Sequence, residues 1–209
     1  MDTSRSDELE ADTVKAYAAT VEWFSDHKPF ALDPLVVEWR RYLGENALVA
    51  DIGCGFGRVI DVLHKLGLSR YIGIDPCTEL IELARARYPT NDFRLGTILD
   101  LPSVVSEQCD AFLASWSLMH IGRSNIDRNL ASIRKVLKPG AAGLILTAYG
   151  DRDNVATHRT LPFLPKGHRF LMVEWELETL APHLEKAGFT IVDPTGTDES
   201  MLWITVLAV

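Results

Sequence analysis

Helical spacing is legible from the start of the chain. Leu9, Thr13, Ala16, Tyr17, Thr20 and the pair Trp23/Phe24 fall on one stripe, introduced by Ser6 and acidic residues. They predict a front helix ending near Ser25. The segment HKPFALDP, residues 27–34, holds two prolines and predicts a turn. Leu35, Val36, Trp39 and Leu43 then predict a second helix, stopped by Gly44.

From Ala47 the pattern changes to short apolar runs: ALVADIG, YIGID, DFRLG, CDAFLAS and GLILTAY. Each reads as a buried strand, and the helix-period stretches Arg58–Leu66, Thr78–Arg87 and SIRKVLK lie between them. Alternation of this kind predicts a mainly parallel sheet covered on both faces. After Gly150 it breaks for some twenty residues, DRDNVATHRTLPFLPKGHRFLMV, too long for an idle connection and read as a lid or substrate segment. An amphipathic helix in EWELETLAPHLEKAGF follows, then TIVDP and MLWITVLAV, joined by a short turn that makes these two strands antiparallel neighbours.

The expected fold is therefore α/β: a Rossmann-like seven-stranded, mostly parallel sheet with an antiparallel last strand and helices on both faces. One domain is expected over residues 1–209, with a helical cap (1–45), a ligand-binding core (46–148), a lid segment (149–174) and a C-terminal helix and hairpin (175–209).

Composition narrows the function classes. The 209 residues are 47% hydrophobic and 24% charged, an ordinary globular balance. A net charge of −8 disfavours nucleic acid and anionic membrane as partners. Cys54, Cys77 and Cys109 are odd in number and form no CxxC pair, which argues against a zinc site and for a reducing, cytoplasmic compartment. No apolar run approaches the roughly 18 residues of a membrane span. Nothing in the sequence separates a monomer from a homodimer.

The strongest local signal is Asp51-Ile52-Gly53-Cys54-Gly55-Phe56-Gly57, a GxGxG between a predicted strand and a predicted helix. Glycines there allow a tight turn and close backbone approach to a ligand. Asp75 ends the second strand, where nucleotide-binding sheets place an acid for two ribose hydroxyls, with Pro76 next in the chain. An acid at position 51 would repel a pyrophosphate, and Arg58-Val59 departs from a dinucleotide-binding GxGxxG. An adenosyl ligand without phosphates fits better.

DIGCGFG, the acid of IGID, GTILDLP, CDAFLASWSLMHI and VLKPGA, in this order, resemble the class I S-adenosylmethionine-dependent methyltransferases of small-molecule type, over about residues 9–209. The resemblance implies S-adenosylmethionine as cofactor and S-adenosylhomocysteine as product. It implies Gly53, Cys54 and Gly55 under the methionine part, Asp51 holding its amino group, Asp75 on the ribose, and Arg58 near the loop. Thr97 stands where the family has an acid for the adenine amine; its hydroxyl can accept one hydrogen bond, with Ile98 and Leu99 beside the ring. Ser115, Trp116 and Ser117 would line the far wall, and Tyr17 would fold over the cofactor.

For catalysis the resemblance singles out His120 as a base or acceptor-orienting group, though a helix-end histidine bonded to backbone is the plainer reading. Tyr149, at the same sheet edge, is a second candidate. The lid carries Arg152, His158, Arg159, Lys166, His168 and Arg169 against Asp151 and Asp153, which would suit an anionic small acceptor. Two other functions use the same features: a module that binds the cofactor without turnover, and a nicotinamide-dependent oxidoreductase.

Overall fold

The computed structural model describes residues 2–26 and 33–209. Most of the turn expected over 27–34 lies outside them. The N-terminal stripe forms α1 (Thr3–Ala18) and α2 (Val21–Asp26) rather than one helix to Ser25. The break has a local cause: the Thr20 hydroxyl donates back to the Ala16 carbonyl at 2.7 Å, and the Thr20 N–H shortens its reach to the carbonyl of Tyr17. α3 (Asp33–Trp39) runs into a 3₁₀ turn over Arg40–Tyr42, as the Leu35–Leu43 stripe predicts.

The core alternates β1 (Val49–Ile52), α4 (Ile60–Lys65), β2 (Tyr71–Asp75), α5 (Thr78–Arg87), β3 (Asp92–Leu95), α6 (Leu101–Val104), β4 (Cys109–Ser115), α7 (Ile126–Lys135) and β5 (Leu137–Ala148). Every residue of β1 and β2 is buried, which is why these strands read as unbroken apolar runs. The chain ends with β6 (Asp153–Thr157), β7 (Arg169–Val173), α8 (Leu177–Lys186), β8 (Phe189–Thr197) and β9 (Met201–Ala208). The seven-stranded sheet has the order β3-β2-β1-β4-β5-β9-β8. β1 to β5 are parallel, and β9 runs antiparallel to both β5 and β8. This is the Rossmann-like sheet expected, with the last strand antiparallel.

Two apolar layers cover the sheet. One gathers Trp39, Leu63 and Ile81 from α3, α4 and α5; the other gathers Leu101, Ile133 and Leu184 from α6, α7 and α8. β5 begins at Leu137, six residues before the apolar run GLILTAY, because Lys138 to Gly140 stay in the strand with a register shift against β4.

The segment read as a lid is a hairpin. β6 and β7 pair from Asp153↔Val173 to Thr157↔Arg169 in a separate two-stranded sheet, and β7 packs on α1. The Thr13 hydroxyl accepts the Leu171 N–H at 2.9 Å, and Arg169 pairs with Glu8 and Asp12. Among the described residues no helix is long and apolar enough to cross a membrane.

Candidate cofactor and acceptor site

A cavity of about 510 Å³ lies at the carboxyl ends of β1, β2 and β4, where the strand order reverses, the usual ligand crevice of open α/β sheets. Its walls bring together Tyr17, Gly53, Cys54, Gly55, Arg58 and Asp75 with Pro76, Thr97, Ile98, Leu99 and the run Ser115-Trp116-Ser117. His120 lines it as well. These are the sequence-predicted residues, with two exceptions described below.

The turn after β1 fixes one wall. Gly53 has φ +74, and a Cβ built on it would overlap the Ser117 Cβ, so only glycine serves there. The Asp75 carboxylate holds the same turn: Oδ2 accepts the Gly55 N–H and Oδ1 the Cys77 N–H, each at 2.8 Å. Burial lifts its pKa to about 6. Arg58 reaches across the cavity floor, its Nη2 donating to the Ser115 carbonyl at 3.0 Å and to the Ser115 hydroxyl at 2.9 Å. That contact gives Arg58 a role the sequence left open: it ties the glycine turn to the end of β4. Burial and the nearby Asp75 and Asp51 hold the Cys54 thiol far above its ordinary range, so it stays protonated.

The adenine side departs from the family's acid in an informative way. The Thr97 hydroxyl donates to Asp100 Oδ2 at 2.7 Å, and the Thr97 N–H donates to the same oxygen at 2.9 Å. With its proton engaged, the Thr97 oxygen is left as an acceptor, the polarity an exocyclic amine requires. On the far wall Trp116 takes φ +60, a left-handed conformation costly for a bulky side chain and concentrated at ligand sites. Ser117 Oγ is buried there with no hydrogen-bond partner.

Two expected site residues stand elsewhere. Asp51 does not line the cavity; it sits within the sheet, 2% exposed, accepting the Tyr71 hydroxyl at 2.8 Å, and burial raises its pKa to about 7. Tyr149 is also outside the cavity. Its N–H bonds to the Ser200 carbonyl and its backbone bridges to Trp175, which carries the side chain out to an exposed face.

The lid segment requires the same correction. No residue of 149–174 lines the cavity. Arg169 and Arg152 are paired with Glu8, Asp12 and Glu174, and His158 Nδ1 is bonded to the Leu164 carbonyl. Arg152 and Arg169 of the basic run thus brace the protein. The charged residues that do line the cavity are Asp7, Glu10, Asp75, Arg58 and Arg128, of which Arg128 is paired with Asp7. Acids outnumber bases there, which favours a ligand carrying positive charge.

Asp7, Glu10, Ala11 and Val14, with Tyr17, form the α1 face over the cavity. Sequence reasoning missed the first four, although their i, i+3, i+4, i+7 spacing is a helical stripe beside the one that packs inward. Glu10 anchors that face, accepting the Gly122 N–H at 3.0 Å and the Asn125 side-chain amide at 2.7 Å.

Residues 50–145 match a family described as a methyltransferase domain. The human mitochondrial ubiquinone biosynthesis O-methyltransferase is 27% identical over 164 residues, 71% of this chain and 42% of that protein. A tRNA U34 carboxymethyltransferase of Cellvibrio japonicus is 30% identical over 203 residues, 85% of this chain and 56% of that protein. The chain thus spans about half the length of these relatives. Among solved structures, the 1,6-didemethyltoxoflavin-N1-methyltransferase of Burkholderia thailandensis, with bound S-adenosylhomocysteine, superposes with a TM-score of 0.69 at 22% identity, covering 96% of this chain and 87% of that one. Residues 50–145 thus match a methyltransferase domain, and the sheet around them, with the glycine turn, Asp75 and Thr97 at its strand ends, has the fold of S-adenosylmethionine-dependent methyltransferases.

Proposed function

We propose that the protein transfers a methyl group from S-adenosylmethionine to a small-molecule acceptor held beneath α1. The observation that carries this reading is the cavity itself: one space with a carboxylate for a ribose diol, an oriented acceptor for an adenine amine and an orphaned serine hydroxyl in its wall. Residues already present fit the cofactor. When bound, it supplies an electrophilic methyl group on a positively charged sulfur.

The protein's part is binding, orientation and exclusion of water. Asp75 keeps lone pairs beyond those taken by Gly55 and Cys77, and a carboxylate can accept both hydroxyls of a vicinal diol. Thr97 accepts the adenine amine, and Ile98 and Leu99 flank the ring. Gly53 and Gly55 let the backbone approach the methionine part, with Ser117 Oγ and Arg58 beside it. The surplus of acidic lining stabilises positive charge. α1 closes the space from above, so donor and acceptor meet in a fixed geometry away from bulk water, which is the principal source of acceleration for a displacement of this kind.

A small acceptor is favoured by the net charge of −8 and by the cover of α1 over the site. The test is incubation with methyl-labelled S-adenosylmethionine and, in parallel, fractionated small metabolites and total tRNA. Label entering the small-molecule fraction alone is expected. Label entering tRNA would contradict the acceptor class while leaving the cofactor in place.

A further inference from the structure

Tyr17 and His120 form a pair in the cavity wall. The Tyr17 hydroxyl lies 2.8 Å from His120 Nε2, and His120 Nδ1 lies 2.6 Å from the Leu171 carbonyl oxygen. A carbonyl oxygen only accepts, so Nδ1 carries the imidazole proton, Nε2 presents a lone pair, and Tyr17 donates to it. The pair is held from outside: Phe170 packs on the Tyr17 ring at 4.8 Å and on the His120 ring at 6.0 Å. Both side chains line the cavity, and Tyr17 feels the charges of Arg58 and Asp75 at its cofactor end. With its lone pair spent on Tyr17, His120 is not placed to contact an acceptor directly.

We infer that Tyr17 is the catalytic residue that takes the acceptor's proton, that His120 is its positioning partner and proton sink, and that the acceptor presents a hydroxyl group. This rests on the methyltransferase reading above. In the step, a lone pair of the acceptor hydroxyl oxygen forms the new C–O bond while the C–S bond breaks and its electrons remain on sulfur. The hydroxyl proton passes to Tyr17 Oη, and the Tyr17 proton passes to His120 Nε2. One positive charge enters on sulfur and one leaves on the imidazolium, whose Nδ1–H stays on Leu171.

The chemistry of the pair selects oxygen over nitrogen. Burial lowers the His120 pKa to about 4, so the pair is a weak base. An oxygen gaining a methyl group becomes an oxonium, a far stronger acid than imidazolium, and gives up its proton downhill as the bond forms. An aliphatic amine arrives at neutral pH as an ammonium with a pKa of about 10, close to that of lysine, and without a lone pair it cannot attack unless a base far stronger than this pair takes its proton. Burial of Tyr17, which raises its own pKa, keeps the phenol protonated and able to relay rather than ionise.

Two measurements test this. In the unloaded protein, nitrogen-15 NMR of His120 near neutral pH should show the neutral Nδ1–H tautomer, with the Nε2 resonance shifting in Tyr17→Phe; an Nε2–H tautomer overturns the relay. In the loaded protein, aromatic alcohols and aliphatic amines on matched ring skeletons should be methylated at hydroxyl only. Tyr17→Phe should lower kcat by about 100-fold, the low end of general base catalysis, with S-adenosylmethionine affinity held within about twofold. His120→Gln should lose as much, since its amide oxygen accepts from Tyr17 yet takes no proton; full activity in that variant would make His120 merely structural and overturn the proposal. Transfer to the amines, or to no hydroxyl by a protein that binds S-adenosylmethionine, also overturns it. Failure to bind S-adenosylmethionine would instead remove the reading on which it rests.

Discussion

Replacing Asp75 by asparagine separates what this carboxylate does for the fold from what it does for the ligand. The group is 7% exposed and accepts the Gly55 and Cys77 N–H groups, one on each oxygen. Burial lifts its pKa from 3.8 to about 6. At about 1.36 kcal/mol per pH unit, holding it ionised in the folded protein at neutral pH costs up to about 3 kcal/mol. Asparagine removes that cost. It also offers one acceptor oxygen in place of two, leaving one of the two N–H groups opposite an NH₂, a loss of about 1–3 kcal/mol. The opposing effects nearly cancel, so Tm of the ligand-free protein should move by only a few degrees. Affinity has no such compensation: losing a charge-assisted bond to a ribose hydroxyl costs about 1.5–3 kcal/mol, roughly 10- to 150-fold in Kd. Calorimetric titration with S-adenosylhomocysteine beside a thermal scan reads both quantities. An unchanged Kd in a folded variant would refute the ribose assignment, and a collapse in Tm would refute the balance of costs.

Gly53→Ala should destabilise by at least about 1–2 kcal/mol from its left-handed φ alone, and pairing it with Ser117→Gly should recover the overlap but not the backbone cost, as denaturant titration will show. Thr97→Val should weaken S-adenosylhomocysteine by about 1 kcal/mol yet leave S-inosylhomocysteine, which lacks the adenine amine, unaffected; equal losses would move adenine elsewhere. Asp51 has its pKa raised in the fold to about 7, so its contribution to stability is complete below about pH 4 and lost as pH rises through 7. Asp51→Asn, which still accepts from Tyr71, should therefore match the native protein in stability at low pH and exceed it by up to about 4 kcal/mol above neutrality; a difference independent of pH would contradict the burial argument.

The parts of the fold that were legible are those where one physical demand acts alone. β1, β2 and β4 are buried parallel strands and so appear as apolar runs, and the glycine turn and Asp75 follow from the needs of a sharp strand-to-helix connection. Other parts depend on contacts between distant segments. Asp7 and Glu10 look like solvated helix residues until Gly122 and Asn125 are brought beside Glu10. Arg58 acquires meaning only from Ser115, 57 residues away. The β6–β7 hairpin escaped notice because its two short strands are separated by a connection far longer than a tight turn. Tyr149 follows β5 in sequence, but the chain turns outward there, and no periodicity encodes that bend. The charges of the lid pointed to an anionic ligand because their partners on α1 and at Glu174 are invisible in the linear order.

The central claim is that the crevice at the ends of β1, β2 and β4 holds an adenosyl sulfur cofactor. Its most direct test is calorimetric titration of the purified protein with S-adenosylmethionine, S-adenosylhomocysteine and NADH in one buffer, after mass analysis for ligand carried through purification. Binding of both sulfur nucleosides at one site, with no heat from NADH, is the predicted result. Binding of NADH alone, or of none of the three by a protein free of carried-through ligand, would contradict the account.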